Sequence, residues 1–317
     1  MGHDGVTLKP ARFWIGEERW EHPVAVIDLD ADETWPDQIQ LPPCPVIGIG
    51  ARDAPRANLV DTVIEVPASL DGVMAQIVAN PRAAAVVVQL LRVLPALGLQ
   101  EALTIESLAY ATLQGSEEHR AWMKSNLAET GAAPGTVHLR RSDEVLEIVL
   151  DRPDADNAID RSMRDAIYEA FQIALLDASI KQVVLRGEGK AFSLGADLAE
   201  FGTTTDPATA HSIRAMTLPA QMAVRIADRL EARVKGPCVG SALELAAFAR
   251  RIVAGPHAWF QLPELAMGIL PGAGGCVSLT RRIGRQRTAL MILSGKRLSA
   301  RMALDWGLVD EIMDDFA

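Results

Sequence analysis

The sequence predicts an α/β protein in which the C-terminal part forms parallel strands connected by helices. The chain has 317 residues, of which 49% are hydrophobic, enough to bury a large core. Apolar runs at 145–150 and 181–186 flank a segment with helical periodicity. Because a strand, a helix and a strand in this order form a right-handed crossover, we expect the two strands to pair in parallel. The segment 59–130 is mainly helical by its periodicity.

The N-terminal part divides into two segments by composition. Two short β-like runs at 24–29 and 46–49 are separated by a stretch rich in Pro and Asp, so residues 1–58 are predicted to be an irregular α/β segment. A strand-like run at 62–66 then leads into helical periodicity, which begins at Leu70 and continues through most of the following segment.

A small, flexible sequence at 131–136 is the predicted linker, and residues 137–317 follow as the domain that carries the chemistry. In this domain Asp160 begins a helix whose apolar side chains recur on one face. The further predicted elements are helices at 208–229, 242–250 and 277–293 and a strand at 252–254.

Charge and cysteine usage argue against several classes of function. With 31 basic and 41 acidic residues the net charge is −10, which disfavours a nucleic-acid partner. Residues 1–10 lack the apolar core of a secretory signal, and no apolar run approaches the length of a membrane span. Three widely separated cysteines indicate a reducing compartment, so we expect a cytoplasmic protein. His211 and His257 lack partners at the spacing of metal ligands, and no metal site is predicted.

Three junctions between a loop and a helix are candidate functional sites. The first, 191–197, follows a strand and contains Gly195, which lets backbone N–H groups face a ligand. The alternative is that Gly195 and Asp197 only turn the chain and cap the next helix. In the second junction, N–H groups at the start of a helix suit an oxyanion, whereas Ser241 and Glu244 also have the spacing of a capping box.

The third junction, 261–275, places Glu264 after a proline and ends in a glycine-rich turn. Glu264 is either a chemical group or an acid in the first turn of a short helix. The turn is not the phosphate-binding loop of nucleotide hydrolases, since no Lys-Ser/Thr pair follows Gly275.

Six motifs follow one another in the C-terminal part: Asp151-Arg152-Pro153 with Asn157-Ala158, the segment 191–197, Glu244-Leu245-Ala246, Gln261-Leu262-Pro263-Glu264, the segment 271–275, and Gly307-Leu308-Val309-Asp310. In these motifs and their order, residues 137–312 resemble the crotonase superfamily, the enoyl-CoA hydratases and isomerases. The resemblance implies a crotonase-like core, a superhelix of ββα units, with an additional, mainly helical N-terminal region.

The resemblance also implies roles for individual residues. The N–H groups of Ala196 and Ser241 are expected to form an oxyanion hole for the thioester carbonyl of an acyl-CoA substrate. Glu244 and Glu264 align with the two glutamates of the hydratases. Coenzyme A is part of the substrate, and no other cofactor is implied. The residues expected to bind the substrate are Phe192, Leu194, Gly195, Asp197, Gly240, Pro271 and Gly272.

Hydration of a 2-enoyl-CoA is the predicted reaction, because it needs two carboxyl groups, one that orients water and one that moves a proton. An isomerase of this superfamily manages with the second position alone, so enoyl-CoA isomerisation by Glu264 is the alternative. Departures from the family pattern motivate a third interpretation, a non-catalytic acyl-CoA-binding or assembly subunit. Ser241 and Ala242 stand where the family usually has two glycines, and Asp156 stands where it often has a basic residue that helps hold CoA.

The helices that follow the Gly-Leu-Val-Asp motif in the family have counterparts at the front of this chain. Leu59-Val60-Asp61, the helical residues from Leu70 and the segment 98–122 resemble that region in order and spacing. The chain is therefore either a circular permutation or a tandem fusion whose degenerate first copy kept its helical tail, and strand-like runs within 1–58 favour the fusion. Since the superfamily forms trimers and dimers of trimers, we expect a homo-oligomer, or an assembly with a second crotonase-like chain.

Two groups of side chains have more than one interpretation. A basic cluster at the start of a helix either meets the CoA phosphates or, as is more common for such clusters, faces solvent or another subunit. It consists of Arg281, Arg282, Arg285 and Arg287. Trp259 and Phe260 are expected in the core or in the wall of the acyl pocket.

Overall fold

A computed structural model describes residues 22–30, 41–126 and 132–314, so the remaining parts of the predicted segments 1–58 and 131–136 lie outside the described residues. The N-terminal region contains three short strands and four α-helices within these ranges. They are β1 (Ala25–Asp28), β2 (Val46–Ile49), β3 (Thr62–Val63), α1 (Leu70–Ala79), α2 (Pro81–Val93), α3 (Leu99–Gln114) and α4 (Glu117–Asn126).

The C-terminal part alternates strands and helices, as predicted. Asp160 caps its first helix by accepting the N–H of Met163 at 2.8 Å. The elements are β4 (Thr136–Ser142), β5 (Val145–Asp151), α5 (Arg161–Leu176), β6 (Gln182–Gly187), α6 (Pro207–Thr217), α7 (Ala220–Ile226), β7 (Leu230–Val234), β8 (Pro237–Val239), α8 (Ser241–Ala246), β9 (Arg251–Ala254), β10 (Trp259–Gln261), α9 (Gly275–Ile283), α10 (Arg285–Ser294), β11 (Leu298–Ser299), α11 (Ala300–Asp305) and β12 (Glu311–Ile312).

A six-stranded sheet in the order β12-β9-β7-β6-β5-β4 forms one layer of the C-terminal part. Its strands pair in parallel except for β4, which joins β5 as an antiparallel hairpin. The register of β5 on β6, with Val145 opposite Gln182, confirms the predicted parallel pairing. A second sheet has the order β11-β10-β8, with β8 parallel to β10. The end of β8 leads into the candidate site.

Three of the predicted helices are interrupted. The helical pattern predicted from Leu70 is divided into α1, α2 and α3, since Pro81 begins a new helix. The helix predicted at 208–229 is divided by Pro219 and ends before β7. The helix predicted at 277–293 breaks at Gly284, whose φ of 82° is outside the helical region.

The N-terminal helices pack against the C-terminal part and share its core. α3 lies against α6 and α9, and α1 and α2 contact α10. Buried side chains from both parts, among them Leu91, Leu103, Val277 and Leu290, belong to one contiguous hydrophobic cluster. No single helix within the described ranges is long and apolar enough to span a membrane, and the bent helix pair at 70–96 that meets the test by length and composition has side chains in this core.

The four arginines of the basic cluster bind partners within the chain, and Arg281 is also exposed, as expected for a face toward solvent. Two of them connect α10 to the N-terminal region: Arg285 lies 3.1 Å from Asp61, and Arg287 lies 3.1 Å from Glu65. The other partners are the Leu97 carbonyl for Arg281 and the Asp310 carboxylate for Arg282.

The small N-terminal sheet repeats one edge of the large sheet. Its order β1-β2-β3, parallel throughout, corresponds to β7-β9-β12. Asp61 accepts the N–H of Val46 at 2.9 Å, and Asp310 accepts the N–H of Ile252 at 2.6 Å at the equivalent position. Each of these carboxylates also binds an arginine. Since a circular permutation contains this edge only once, the repetition favours the tandem-fusion interpretation.

Candidate active site

The candidate site begins where β8 meets α8. Gly240 joins them with φ 52° and ψ −129°, a conformation that glycine adopts far more readily than other residues. Ser241 is the first helical residue, so its N–H has no carbonyl partner one turn earlier. The predicted capping box is wrong, because no side chain caps α8 and the carboxylate of Glu244 binds a different loop. The helix predicted at 242–250 ends at Ala246.

The loop around Ala196 lies beside this helix start. Ala196 forms an isolated parallel bridge with Ile159, in which Ile159 N–H donates to Gly195 at 2.7 Å and Asp197 N–H donates to Ile159 at 2.9 Å. Because these flanking groups make the bridge, the N–H of Ala196 points to the other side. Gly195 has φ 85°, and a Cβ there would lie 3.2 Å from the backbone N of Ser241. The two expected oxyanion-hole residues are therefore on abutting loops.

Glu244 lies on α8 and is only 2% exposed. Its Oε2 accepts the N–H groups of Ala273 and Gly275 at 2.6 and 2.8 Å. Burial raises the pKa of Glu244 to about 7, since the two N–H donors offset only part of the lost hydration. Its carboxyl group therefore gains or loses a proton readily near neutral pH.

Glu264 begins a short 3₁₀-helix, Glu264–Met267, so its position in a first turn is as predicted. Its Oε2 is buried and has no hydrogen-bond partner among the described residues. Burial and the nearby charge of Glu244 raise the pKa of Glu264 well above its usual range, which favours the protonated form. A Cβ on Gly240 would lie 2.7 Å from Glu264 Oε1, so a larger residue there would displace this carboxyl group.

A cavity of about 970 Å³ is lined by all four of these residues, Ala196, Ser241, Glu244 and Glu264. This volume is at the upper end of the usual range for a small-molecule pocket. Of the residues predicted to bind substrate, Leu194, Asp197, Gly240 and Gly272 also line it.

The other three residues predicted to bind substrate lie outside the cavity lining. Phe192 is 1% exposed and packs in the hydrophobic core, which is the usual place for so large an apolar side chain. Gly195 supplies a turn, and the carbonyl of Pro271 accepts the thiol of Cys276. These three residues therefore support the loops around the cavity without lining it.

Asp197 has structural partners although it lines the cavity. Its carboxylate lies 2.7 Å from Nη1 of Arg152 and accepts the N–H of Ala199 at 3.0 Å, capping a short 3₁₀-helix. The predicted cap is therefore present, and substrate binding by Asp197 stays a prediction.

Glu106, on the N-terminal helix α3, belongs to the site and was not predicted. It is buried, and its two oxygens accept the N–H groups of Gly274 and Val277 at 2.7 and 3.1 Å. Along the chain, these two donors alternate with Ala273 and Gly275, whose N–H groups bind Glu244. Burial and the charge of Glu244 raise the pKa of Glu106 well above its usual range. An acid on the apolar face of a helix, three positions after Leu103, is the sequence signal that points to it.

Tyr110, one turn further along α3, also lines the cavity. Its ring packs on Gly272, where a Cβ would lie 2.1 Å from the ring. Burial raises the pKa of Tyr110 to about 12, and the charges of Glu244 and Glu264 contribute in the same direction. The guanidinium of Arg214 lies over the ring, 4.5 Å from its centre.

Aromatic side chains form another part of the cavity wall. His119 of α4 stacks on Trp122, and its Nδ1–H donates to the Met267 carbonyl at 2.9 Å. Trp259 lines the cavity and packs under Arg297, whereas Phe260 is in the core. Both positions are among those predicted, the cavity wall for Trp259 and the core for Phe260. Within the described ranges, no group of three His, Cys, Asp or Glu side chains is placed to hold a metal ion.

The fold and the site together define a class of protein: an α/β core in which two backbone N–H groups and a pair of buried carboxyl groups share one cavity. The model of the family described as enoyl-CoA hydratase/isomerase matches residues 140–316. The chain belongs to this family, which confirms the predicted resemblance and fold class.

Individual relatives match the same part of the chain. The 2,3-dehydroadipyl-CoA hydratase of Escherichia coli (strain K12) is 35% identical over 172 residues, which are 54% of this chain and 67% of the relative. The mitochondrial enoyl-CoA hydratase of Pongo abelii is 35% identical over 52% of this chain and 56% of its own length. The crystal structure of an enoyl-CoA hydratase from Thermoplasma volcanium GSS1 has a TM-score of 0.51 and 37% identity, over 56% of this chain and 72% of that chain. The likeness thus covers about half of this chain.

Proposed function

We propose that the protein is a 2-enoyl-CoA hydratase, which adds water across the α,β double bond of an acyl-CoA thioester. One observation carries the proposal: the buried carboxyl groups of Glu244 and Glu264 line the same cavity as Ala196 and Ser241. Hydratases among the relatives support the same reaction class.

The proposed reaction begins with the thioester carbonyl oxygen accepting hydrogen bonds from the N–H groups of Ala196 and Ser241. When the oxygen of water bonds to Cβ, the electron pair of the Cα=Cβ bond moves toward the carbonyl, and its oxygen gains the charge of an enolate. Donors fixed at this oxygen stabilise the transition state more than the substrate, and one such donor contributes about 2.7–4 kcal/mol.

Protons are divided between the two carboxyl groups by their environments. Glu244, whose pKa is about 7, accepts the proton that the attacking water loses. Glu264, whose raised pKa keeps it protonated, delivers a proton to Cα as the enolate returns to the carbonyl form. Water is thereby added as OH at Cβ and H at Cα, and passage of one proton from Glu244 to Glu264 restores the starting state.

The test follows the loss of ultraviolet absorbance of a short 2-enoyl-CoA with the wild type and two variants, Glu244→Gln and Glu264→Gln. Loss of a general acid or base should lower kcat about 10²–10⁴-fold in each variant. Glu169→Gln, an exposed glutamate on α5, is the matched control and should retain the wild-type rate. Wild-type turnover in both site variants would rule out hydration by this pair.

Isomerisation is the second candidate, and the unpartnered Oε2 of Glu264 favours it, because a free carboxyl group can move a proton along an acyl chain. The same proteins are therefore assayed with a 3-enoyl-CoA for the gain of conjugated absorbance. An isomerase keeps this activity in Glu244→Gln. If the wild type binds acyl-CoA and turns over neither substrate, both activities are rejected, and the subunit is an acyl-CoA binder in which the hole residues or the displaced helices have disabled the chemistry.

Assembly and location extend the same proposal. We expect a homo-trimer or hexamer, as the family resemblance implies, and a cytoplasmic location, as the cysteine usage implies; light scattering of the purified protein measures the number of subunits.

A further inference from the structure

Arg214 stands out among the side chains that line the cavity. It lies on α6, and among the described residues no carboxylate is within ion-pair distance of its guanidinium. Its three hydrogen bonds go to neutral acceptors on α3: the Ser107 hydroxyl at 3.0 Å, the Ser107 carbonyl at 3.2 Å and the Gln114 side chain at 3.3 Å. The charge of Glu106 on α3 acts on Arg214, but the two oxygens of Glu106 accept the N–H groups of Gly274 and Val277 on another loop.

A partly buried arginine that has no ion-pair partner destabilises the folded state, since a guanidinium stays charged at neutral pH and loses hydration on burial. This loss of hydration lowers the pKa of Arg214. Two other partly buried arginines of the chain, Arg282 and Arg285, have the carboxylates of Asp310 and Asp61. Arg214 instead has a cavity beside it. An arginine in this situation is suited to bind an anionic group of a ligand.

The distance to the carboxyl pair indicates which part of a ligand reaches Arg214. Its guanidinium lies over the ring of Tyr110, that ring packs on Gly272, and the next residue, Ala273, donates its N–H to Glu244 at 2.6 Å. Arg214 is thus connected to the carboxyl group of Glu244 through one aromatic ring and two residues of the following loop, and both side chains line the same cavity. The phosphates of CoA are separated from the thioester by the whole pantetheine arm, whereas the far end of a short acyl chain is a few carbons away.

We propose that Arg214 binds a carboxylate at the far end of the acyl chain, so that the preferred substrates are CoA thioesters of short dicarboxylic acids. This inference names the substrate class of the site and rests on the proposed function for its chemistry. The recognition itself is a charge-assisted hydrogen bond between the guanidinium and the terminal carboxylate.

The test compares two saturated, unreactive thioesters of equal length, hexanoyl-CoA and adipyl-CoA, by titration calorimetry with the full-length protein. The wild type should bind adipyl-CoA about 10- to 100-fold more tightly, as expected for a hydrogen bond to a charged group. Arg214→Gln should bind the two equally, and Arg214→Lys should keep part of the preference. Arg250→Gln, which removes an exposed cation outside the cavity lining, is the matched control and should keep the preference.

Two outcomes overturn the proposal. The first is equal affinity of the wild type for both thioesters, which by itself shows that no terminal carboxylate is recognised. An equal loss for both in Arg214→Gln shows that the arginine serves a CoA phosphate or only holds α3 to α6. Because these ligands do not react, the result is independent of turnover: a preference for adipyl-CoA without hydration of its 2-enoyl form sustains the anion site and rejects the hydratase.

Discussion

Removal of Glu106 tests whether the N-terminal region is part of the active site or only a cover. Its oxygens accept the N–H groups of Gly274 and Val277 in a buried position. Glu106→Ala leaves both donors without an acceptor, and each buried N–H left unpaired costs about 1–3 kcal/mol. We therefore expect the free energy of unfolding to fall by about 2–6 kcal/mol.

The same change should slow the chemical step, because Glu244 depends on the same turn. The N–H groups of Ala273 and Gly275 hold its carboxylate, and they alternate with the two donors that Glu106 binds. Without Glu106 the turn loses half of its acceptors. Since a misplacement of about 1 Å costs about 10²-fold, kcat for hydration should fall about 10- to 100-fold. KM should change much less, because Glu106 does not line the cavity.

The measurement combines urea unfolding with initial rates. Glu106→Gln keeps an acceptor oxygen and resembles the neutral carboxyl form that the raised pKa favours, so it should lose far less stability and rate than Glu106→Ala. Gln100→Ala, an exposed change on the same helix, should stay within about 0.5 kcal/mol of the wild type. A Glu106→Ala protein with wild-type stability and wild-type kcat would refute the reasoning.

Three further predictions concern pH, burial and close packing. The pKa of Glu244 is raised in the folded protein to about 7, so its contribution to stability, about 3 kcal/mol, is complete below its unfolded pKa and is lost as pH rises through about 7. Glu244→Gln should therefore flatten the pH dependence of the free energy of unfolding in urea between pH 4.5 and 8, and parallel curves for the two proteins would contradict this prediction. Asp61→Asn should cost about 3–5 kcal/mol, since it breaks an ion pair at a side chain that is 1% exposed, whereas Asp310→Asn, at 42% exposure, should cost about 1 kcal/mol or less. Thermal unfolding measures both costs, and equal values would contradict the role given to burial. Gly272→Ala should cost about 1–3 kcal/mol because its Cβ would meet the ring of Tyr110. In Tyr110→Ala the clash is absent, so adding Gly272→Ala to that variant should cost less than it does in the wild type, which a double-mutant cycle measures; additive costs would speak against the contact.

The family resemblance predicted four residues that the structure brings to one cavity, because each motif that carries it is a short stretch of chain. Ala196 and Ser241 follow glycines with positive φ, and the structure places both beside the two glutamates in one cavity. The parallel pairing of β5 and β6 followed from the handedness of a crossover. These features depend on short stretches of chain, which a single sequence displays directly.

The features that sequence analysis missed depend on distant partners. Strands β8 and β10 have three residues each, too few to show alternation, and they exist because they pair with each other. Ser241 and Glu244 have the spacing of a capping box, but the N–H groups of the turn at 273–275 compete for the carboxylate and bind it. The role of Arg285 depends on Asp61, more than 200 positions earlier in the chain. No local pattern contains that information.

The repeated edge and the site residues of α3 together explain what the N-terminal region has kept. On the tandem-fusion interpretation, which stays a prediction, the N-terminal region needs no active site of its own, yet β1, β2 and β3 preserve the strand order of β7, β9 and β12. In the N-terminal copy the aspartate of this edge is fully buried and binds two arginines, one of them on α10 of the C-terminal part. The edge therefore anchors the helices, and the helices bring Glu106 and Tyr110 to the carboxyl pair. On this argument the two parts form a single functional unit, and a chain that lacked the N-terminal region would lose the wall of its cavity as well as part of its core.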